Sequence, residues 1–327
     1  MLESPESKFA IAAVREACTV IRAVQKGLVT AALTKSDKSP VTVADFAAQG
    51  AVARRFAVER PSDVLVGEED AADLRSDASR GTLANVTRFV AEVAPGATAD
   101  EVCASIDRGR AEPVPRFWTL DPVDGTKGFL RGEQYAVALA LIENGRVELG
   151  VLGCPNLRAD GTADVGGTGC VIAAERGRGT WASPLGSETW SRLLVSGRRV
   201  AKEARLLRSV EAGHTNVDEM GELVVALGGT AEPVLMDSQA KYGVLAAGCG
   251  ELLFRLLSPS KPDYRERIWD QAAGSIVVEE AGGRVTDLDG KTLDFSRGRT
   301  LAANRGVVAS NGLLHDAALA ALKQVGA

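Results

Sequence analysis

Residues 135–142 are the longest uninterrupted apolar run in the chain, and Asn144-Gly145 joins them to a second strand-like run at 146–152. Asn-Gly between two such runs is the strongest short-range hairpin signal, because both residues tolerate the positive φ that a tight two-residue turn demands. The run is far too short to span a bilayer. More sheet is predicted on both sides: residues 64–66 and 117–120 before the hairpin, and 170–174 and 179–181 after it. At the N-terminus Val14, Cys18, Ile21, Val24 and Leu28 recur at helical spacing over residues 8–28. Thr42 and Asp45 stand at capping-box spacing before a second helical stretch that ends near Arg60. Residues 71–116, broken by Pro95, Gly96, Gly109, Pro113 and Pro115, read as a helical and loop insertion.

From about residue 200 the pattern alternates strand and helix: strands at 206–210, 234–236 and 252–257, and helices near 218–227, 239–248 and 270–281, the last closed by Gly282-Gly283. A length of 327 residues suggests about two structural units. We expect an α+β half over residues 1–200 and an α/β half over 201–327, layered rather than barrel-like.

Thirty-eight basic against forty-three acidic residues give a net charge of −5, so no global basic field exists to hold nucleic acid or an anionic membrane. Any anionic ligand must be handled by a metal or a local basic pocket. Five cysteines, an odd number without a C-x-x-C pair, argue against a disulfide framework and a thiolate zinc site and suit a reducing compartment. The first residues lack the basic start and apolar core of a signal peptide, so a cytoplasmic location is expected. Several chemistries lack their parts. Gly290-Lys291-Thr292 resembles the tail of a phosphate-binding loop, but Val285 stands where the upstream glycine is required, and Asp289-Gly290 reads as a hairpin turn. There is no G-x-S-x-G elbow, and the only histidines are His214 and His315.

The informative stretch is Trp118-Thr119-Leu120-Asp121-Pro122-Val123-Asp124-Gly125-Thr126. An apolar strand is expected to deliver Asp121 to a sheet end, where Pro122 turns the chain. Asp124 follows three residues on, so both carboxylates and the Val123 carbonyl are available to one hard cation. Gly125 and Thr126 are placed to open a helix whose free N–H groups suit a phosphate. A chance match to Asp-Pro-x-Asp-Gly-Thr in this chain is on the order of one in ten thousand at ordinary residue usage. Glu68-Glu69 after a short strand, Asp45, and Trp269-Asp270 at a helix start supply further acidic oxygens. Taken singly, each has a plainer explanation as an exposed loop, a capping box or an N-cap.

These elements resemble, in order and over nearly the whole chain, the magnesium-dependent, lithium-inhibited phosphatases that include inositol monophosphatases and 3′(2′),5′-bisphosphate nucleotidases. The resemblance rests on Ser39-Pro40-Val41-Thr42 to Asp45, Gly67-Glu68-Glu69, Asp121 to Thr126, and Trp269-Asp270 with Glu280-Ala281-Gly282-Gly283. The finer likeness, to the bisphosphate nucleotidases, rests on the stretch from Asp124 to Tyr135, on Gly153-Cys154-Pro155-Asn156-Leu157 and on Asp237-Ser238-Gln239-Ala240-Lys241-Tyr242. The resemblance implies an α/β fold, the αβαβα sandwich of the inositol monophosphatase and fructose-1,6-bisphosphatase type. It implies Glu68, Asp121, Asp124, Asp270 and the Val123 carbonyl as metal ligands, with Asp45 and Thr126 polarising the attacking water. Gly125 and Thr126 N–H groups would hold the phosphate, and His214, Ser238, Lys241 and Arg255, together with Asp270, would bind the nucleotide. Between Arg255 and Trp269 the spacing is slightly longer here than in the family, through residues 258–262.

Asp45, Glu68, Asp121, Asp124 and Asp270 sum to −5, and a phosphate monoester dianion brings the site to −7. Like charges packed so closely repel strongly at low effective dielectric, so two or three Mg²⁺ are expected per site. The expected reaction is direct attack of an activated water on phosphorus, releasing the 3′-phosphate of adenosine 3′,5′-bisphosphate or its 5′-phosphosulfate relative. An inositol phosphate phosphatase and a non-catalytic nucleotide sensor on the same fold stay open. The partner is a small phosphorylated molecule rather than nucleic acid or membrane, and a monomer is favoured.

Overall fold

The computed structural model describes residues 2–29, 39–210, 217–229 and 231–327. In chain order its elements begin with α1 (Pro5–Val24), which runs into a π turn (Gln25–Val29), and α2 (Ser39–Glu59). Next come β1 (Leu65–Gly67), α3 (Arg80–Val90), α4 (Ala99–Asp107), β2 (Arg116–Asp124) and the short α5 (Thr126–Arg131). Strands β3 (Ala136–Glu143), β4 (Arg146–Cys154), β5 (Cys170–Glu175), β6 (Gly179–Pro184) and β7 (Ser191–Leu193) follow. The remainder is β8 (Arg205–Arg208), α6 (Val217–Ala226), β9 (Ala231–Leu235), α7 (Ala240–Ala246), β10 (Leu252–Arg255), α8 (Ala272–Glu280), β11 (Arg284–Thr286), β12 (Val307–Ser310) and α9 (His315–Val325).

Strands β1 to β7 make one sheet in sequence order, antiparallel except for the parallel β1–β2 pair. The expected hairpin is its centre: Glu143 pairs with Arg146, and Asn144 and Gly145 both take positive φ (50° and 78°), as a two-residue turn of matching twist requires. The second sheet runs β11-β12-β10-β8-β9, with β8 parallel to both β10 and β9.

The apolar run has a physical reason. Val137, Leu139 and Leu141 of β3 point into a core with α1, α2 and α4, while Ala136, Ala138, Ala140 and Ile142 point into a second core with α7 and α8. A strand covered on both faces has no position for a polar residue, so alternation disappears. The second core continues to one face of the second sheet through Leu207, Leu253 and Ala309, and Leu206, Phe254 and Val308 face a third core with α6 and α9. The layers are therefore helix, sheet, helix, sheet, helix, a mixed α/β sandwich as expected.

Several local expectations change. Strand β2 does not stop at Asp121 and the chain does not turn at Pro122; the strand runs on to Asp124, which pairs with Ala136. Helix α2 begins at Ser39, so Thr42 and Asp45 lie inside it and form no capping box. Helix α8 begins at Ala272, which leaves Asp270 in the preceding turn rather than at the N-cap. Asp289-Gly290 is a turn, tied by Asp287 N–H donating to the Lys291 carbonyl, but residues 291–299 form no strand to complete a hairpin. The 71–116 insertion holds α3 and α4, which pack on α2.

His315 opens α9 fully buried, with Nδ1 2.9 Å from Ser310 Oγ and Nε2 2.9 Å from Thr286 Oγ1. Burial, with Arg284 nearby, lowers its pKa to about 4 from 6.5. Below pH 6.5 the unfolded chain takes up this proton while the folded one does not. Stability contributed by the neutral ring is therefore complete above pH 6.5 and lost as the pH falls toward 4, by about 3 kcal/mol. Urea unfolding at pH 7 and pH 4.5 is expected to show a smaller acid loss for His315→Gln than for the native chain; equal losses would rule the group out.

Candidate active site

The carboxylates gather because of one irregularity in β2. In a regular strand residues three apart point to opposite faces, so Asp121 and Asp124 would diverge. Asp121 pairs with Ala138 and Asp124 with Ala136, so β2 carries one more residue than β3 over this step. That is a β-bulge, placed where Pro122 has no N–H for the ladder. The extra residue returns Asp124 to the side of Asp121, while Leu120 and Val123 share the opposite core. Gly125 then takes φ 86° and caps α5, which Thr126 opens. A Cβ at Gly125 would lie 2.8 Å from the Ser238 Cβ, so both its dihedral and its space require glycine.

A cleft of about 290 Å³ opens here, lined by Glu68, Asp121, Val123, Asp124, Gly125, Thr126, Ser238, Lys241, Arg255 and Asp270 among the residues expected from the sequence. Ten of the twelve expected residues thus line one cleft. Asp45 does not line the cleft; it is buried on α2, which packs against α5. His214 lies outside the described residues.

Electrostatics ties Asp45 to the rest. Burial pushes its carboxyl well above the usual range, and the nearby charges of Glu69 and Glu68 push it further. Asp121 is also held well above that range by burial, then by Glu68, Asp124, Asp270 and Asp45. Its Oδ1 is buried without a hydrogen-bond partner. Asp270 is raised strongly by burial, Asp124 and Glu266, and Glu68 by burial and Asp124, against a hydrogen bond with Asp121. Glu69 is raised to about 7 by burial, Glu68 and Asp70. Two carboxyls share a hydrogen bond only through a proton, and a cation can replace that proton.

The opposing charge comes from α7, which carries Lys241, and from β10 of the second sheet, which ends on Arg255. Asp124 is raised by burial, but Lys241, the Gln239 N–H and Arg255 pull it back, and Gln239 N donates to Asp124 Oδ2 at 2.5 Å. Lys241 is buried, with Nζ 3.2 Å from the Met236 carbonyl, and burial lowers its pKa to about 8. Arg255 pairs with Glu266 at 3.1 Å, which holds the guanidinium charged. Glu266 also accepts from Gln271 Nε2 at 2.8 Å. Half of the expected cationic pair is therefore already engaged.

Sequence reasoning missed Gln271, Tyr264 and Ser209 at this cleft, and Glu266 behind Arg255, while Tyr242 stood in a quoted motif without an assigned part. Glu266 carries no local signal, since its pairing depends on a chain segment returning to β10. Glu69 and Gln239 stood within the quoted motifs without an assigned part. Among the described residues no three acidic, histidine or cysteine side chains close on a single metal position. The donor set nevertheless fits a hard divalent cation: oxygen ligands only, an unpartnered buried Asp121 oxygen, and carboxyls that raise one another's pKa.

Comparison with known proteins follows the same line. Residues 3–327 match the model of the inositol monophosphatase family. The 3′(2′),5′-bisphosphate nucleotidase of Emericella nidulans is 40% identical, with 98% of each chain covered. That of Schizosaccharomyces pombe is 42% identical over 93% of this chain and 91% of its own. Among solved structures, the Thermotoga maritima IMPase superposes with a TM-score of 0.64 at 21% identity, covering 99% of this chain and 98% of that one. Mycobacterium tuberculosis SuhB gives 0.64 at 21% identity over 98% and 96%. At that identity both speak to the fold.

Proposed function

The chain belongs to the inositol monophosphatase family, and from that premise we propose that it is a 3′(2′),5′-bisphosphate nucleotidase. It releases the 3′-phosphate of adenosine 3′,5′-bisphosphate, giving AMP, and acts on the 5′-phosphosulfate relative as well. The observation that carries this reading is the pairing within one cleft of an acidic wall with buried Lys241, which suits a substrate anionic at two ends. The curated relatives named above support the same substrate class.

In this reading Glu68, Asp121, Asp124, Asp270 and the Val123 carbonyl hold two or three Mg²⁺. When bound, the metal supplies Lewis-acid charge at the phosphoryl oxygens and lowers the pKa of the attacking water. Residues 1–200 carry most of these ligands, and 201–327 bring Asp270 and the nucleotide contacts. The Gly125 and Thr126 N–H groups bind the phosphate. Asp45 and the Thr126 hydroxyl polarise the attacking water. Lys241, with Ser238, His214 and the Glu266-paired Arg255, binds the nucleotide and its 5′-phosphate. The enzyme acts as a cytoplasmic monomer on a free nucleotide, and the net charge of −5 disfavours polyanions.

Phosphate release across adenosine 3′,5′-bisphosphate, inositol 1,4-bisphosphate and inositol 1-phosphate tests the assignment. Adenosine 3′,5′-bisphosphate should lead in kcat/KM, with Li⁺ inhibiting; a lead for either inositol phosphate would overturn it. Lys241→Met probes the second anionic end better than a change at Arg255, whose loss would strand buried Glu266. A charge-assisted contact is worth about 1.5–3 kcal/mol, so kcat/KM for the bisphosphate should fall about 10–150-fold. Hydrolysis of 3′-AMP should hardly change. Equal losses on both would show that Lys241 does not read the 5′-phosphate.

A further inference from the structure

The acidic residues of the cleft come from segments remote in sequence, and two side chains outside it join those segments. Gln49 lies one helical turn beyond Asp45 on α2 and is completely buried. Its Nε2 donates to the Glu69 carbonyl at 2.5 Å and to the Ile106 carbonyl at 3.0 Å, and its Oε1 accepts from Glu69 N at 3.0 Å. Both backbone groups of Glu69 are thus fastened to the helix that carries Asp45. A Cβ on Gly67 or Gly109 would meet the Gln49 amide at 2.5 Å, so the turn is closed down on it.

Arg299 approaches the same turn from the other side. Its guanidinium donates to the carbonyls of Gly67 at 2.5 Å, Ala111 at 3.1 Å and Gly109 at 3.4 Å. Its Cζ lies over the Trp269 ring, 5.0 Å from the ring centre. Its own carbonyl accepts from Ile268 N at 3.2 Å, immediately before Trp269-Asp270. The backbone of Arg299 therefore holds the segment bearing Asp270 while its side chain holds the turn bearing Glu68. Glu68 is itself tied to β2 by its N–H donating to the Leu120 carbonyl at 3.2 Å, beside Asp121.

We infer that Arg299 and Gln49 are positioning residues that set the mutual distances of Glu68, Asp45 and Asp270, and through them the affinity of the site for Mg²⁺. The inference rests on the metal-dependent reading above. The physical reason is repulsion. Without a cation these carboxylates drive their segments apart, and the neutral amide and the guanidinium oppose that by gripping backbone oxygens rather than the carboxylates themselves. Lysine cannot replace Arg299 fully, because a point charge does not serve three carbonyls and stack on an indole together.

The test is Mg²⁺ titration of the full chain by calorimetry, without substrate, for native protein, Arg299→Met, Arg299→Lys and Gln49→Met. Loss of groups that orient metal ligands costs roughly 10–100-fold in metal affinity. Arg299→Met and Gln49→Met should weaken Mg²⁺ to about that extent and Arg299→Lys by less. KM for substrate at saturating Mg²⁺ should stay within about threefold. A purely structural role would lower Tm and leave the Mg²⁺ Kd unchanged, and that result in folded Arg299→Met overturns the inference. Should Arg299→Met and Gln49→Met not fold, Arg299→Lys decides alone: native Mg²⁺ affinity in it overturns the inference. Failure of the metal reading itself would be told apart by native protein that binds no Mg²⁺.

Discussion

Asp45→Asn is expected to lower kcat by about 10²–10⁴, the range for a positioned acid–base group, without destabilising the metal-free protein. The structure separates these two effects. Read as the end of a capping box, Asp45 would cost ~1 kcal/mol of stability when replaced. It lies instead inside α2, buried, where burial and the charges of Glu69 and Glu68 disfavour its ionised form. Asparagine keeps the shape and cannot take on the charge that burial, Glu69 and Glu68 disfavour in the metal-free protein. Tm in EDTA should therefore hold or rise. Kinetics with Mg²⁺ beside melting curves in EDTA decide the matter. Activity within a few-fold of native, together with a lower Tm, would reduce Asp45 to a helix residue.

Chelation should abolish turnover altogether, and the stabilisation by Mg²⁺ should grow with pH. The sign follows from the raised carboxyls. Asp45, Asp121 and Asp270 stay protonated in the fold at pH values where the unfolded chain has lost those protons. The metal-free protein thus loses stability as pH rises above about 4, through the raised folded values. Mg²⁺ competes with these protons and binds better as they leave. At a hundredfold excess over Kd a ligand adds about 2.7 kcal/mol, a shift of several degrees. The Mg²⁺-induced rise in Tm should be clearly larger at pH 8 than at pH 5. Comparing with and without metal at each pH cancels the opposite trend from His315. Full activity in excess EDTA, or a metal shift independent of pH, would refute the acidic cluster as the metal site.

Sequence by itself determined the central hairpin, because the strand-like runs at 135–142 and 146–152 flank Asn144-Gly145, whose turn chemistry joins them. It also determined most of the candidate cleft. Carboxylates close together in the chain, such as Asp121 and Asp124, announce themselves by spacing and by the turn chemistry around them. Only the tertiary structure decided how they face one way. The answer is a bulge at Pro122 inside a continuing strand, and strand register is set by the partner strand rather than by local residues. Only the fold could pair Arg255 with Glu266, or bring Gln49 and Arg299 onto the turn after β1. Those contacts join segments up to 232 residues apart, and such meetings follow from packed layers that no local pattern encodes.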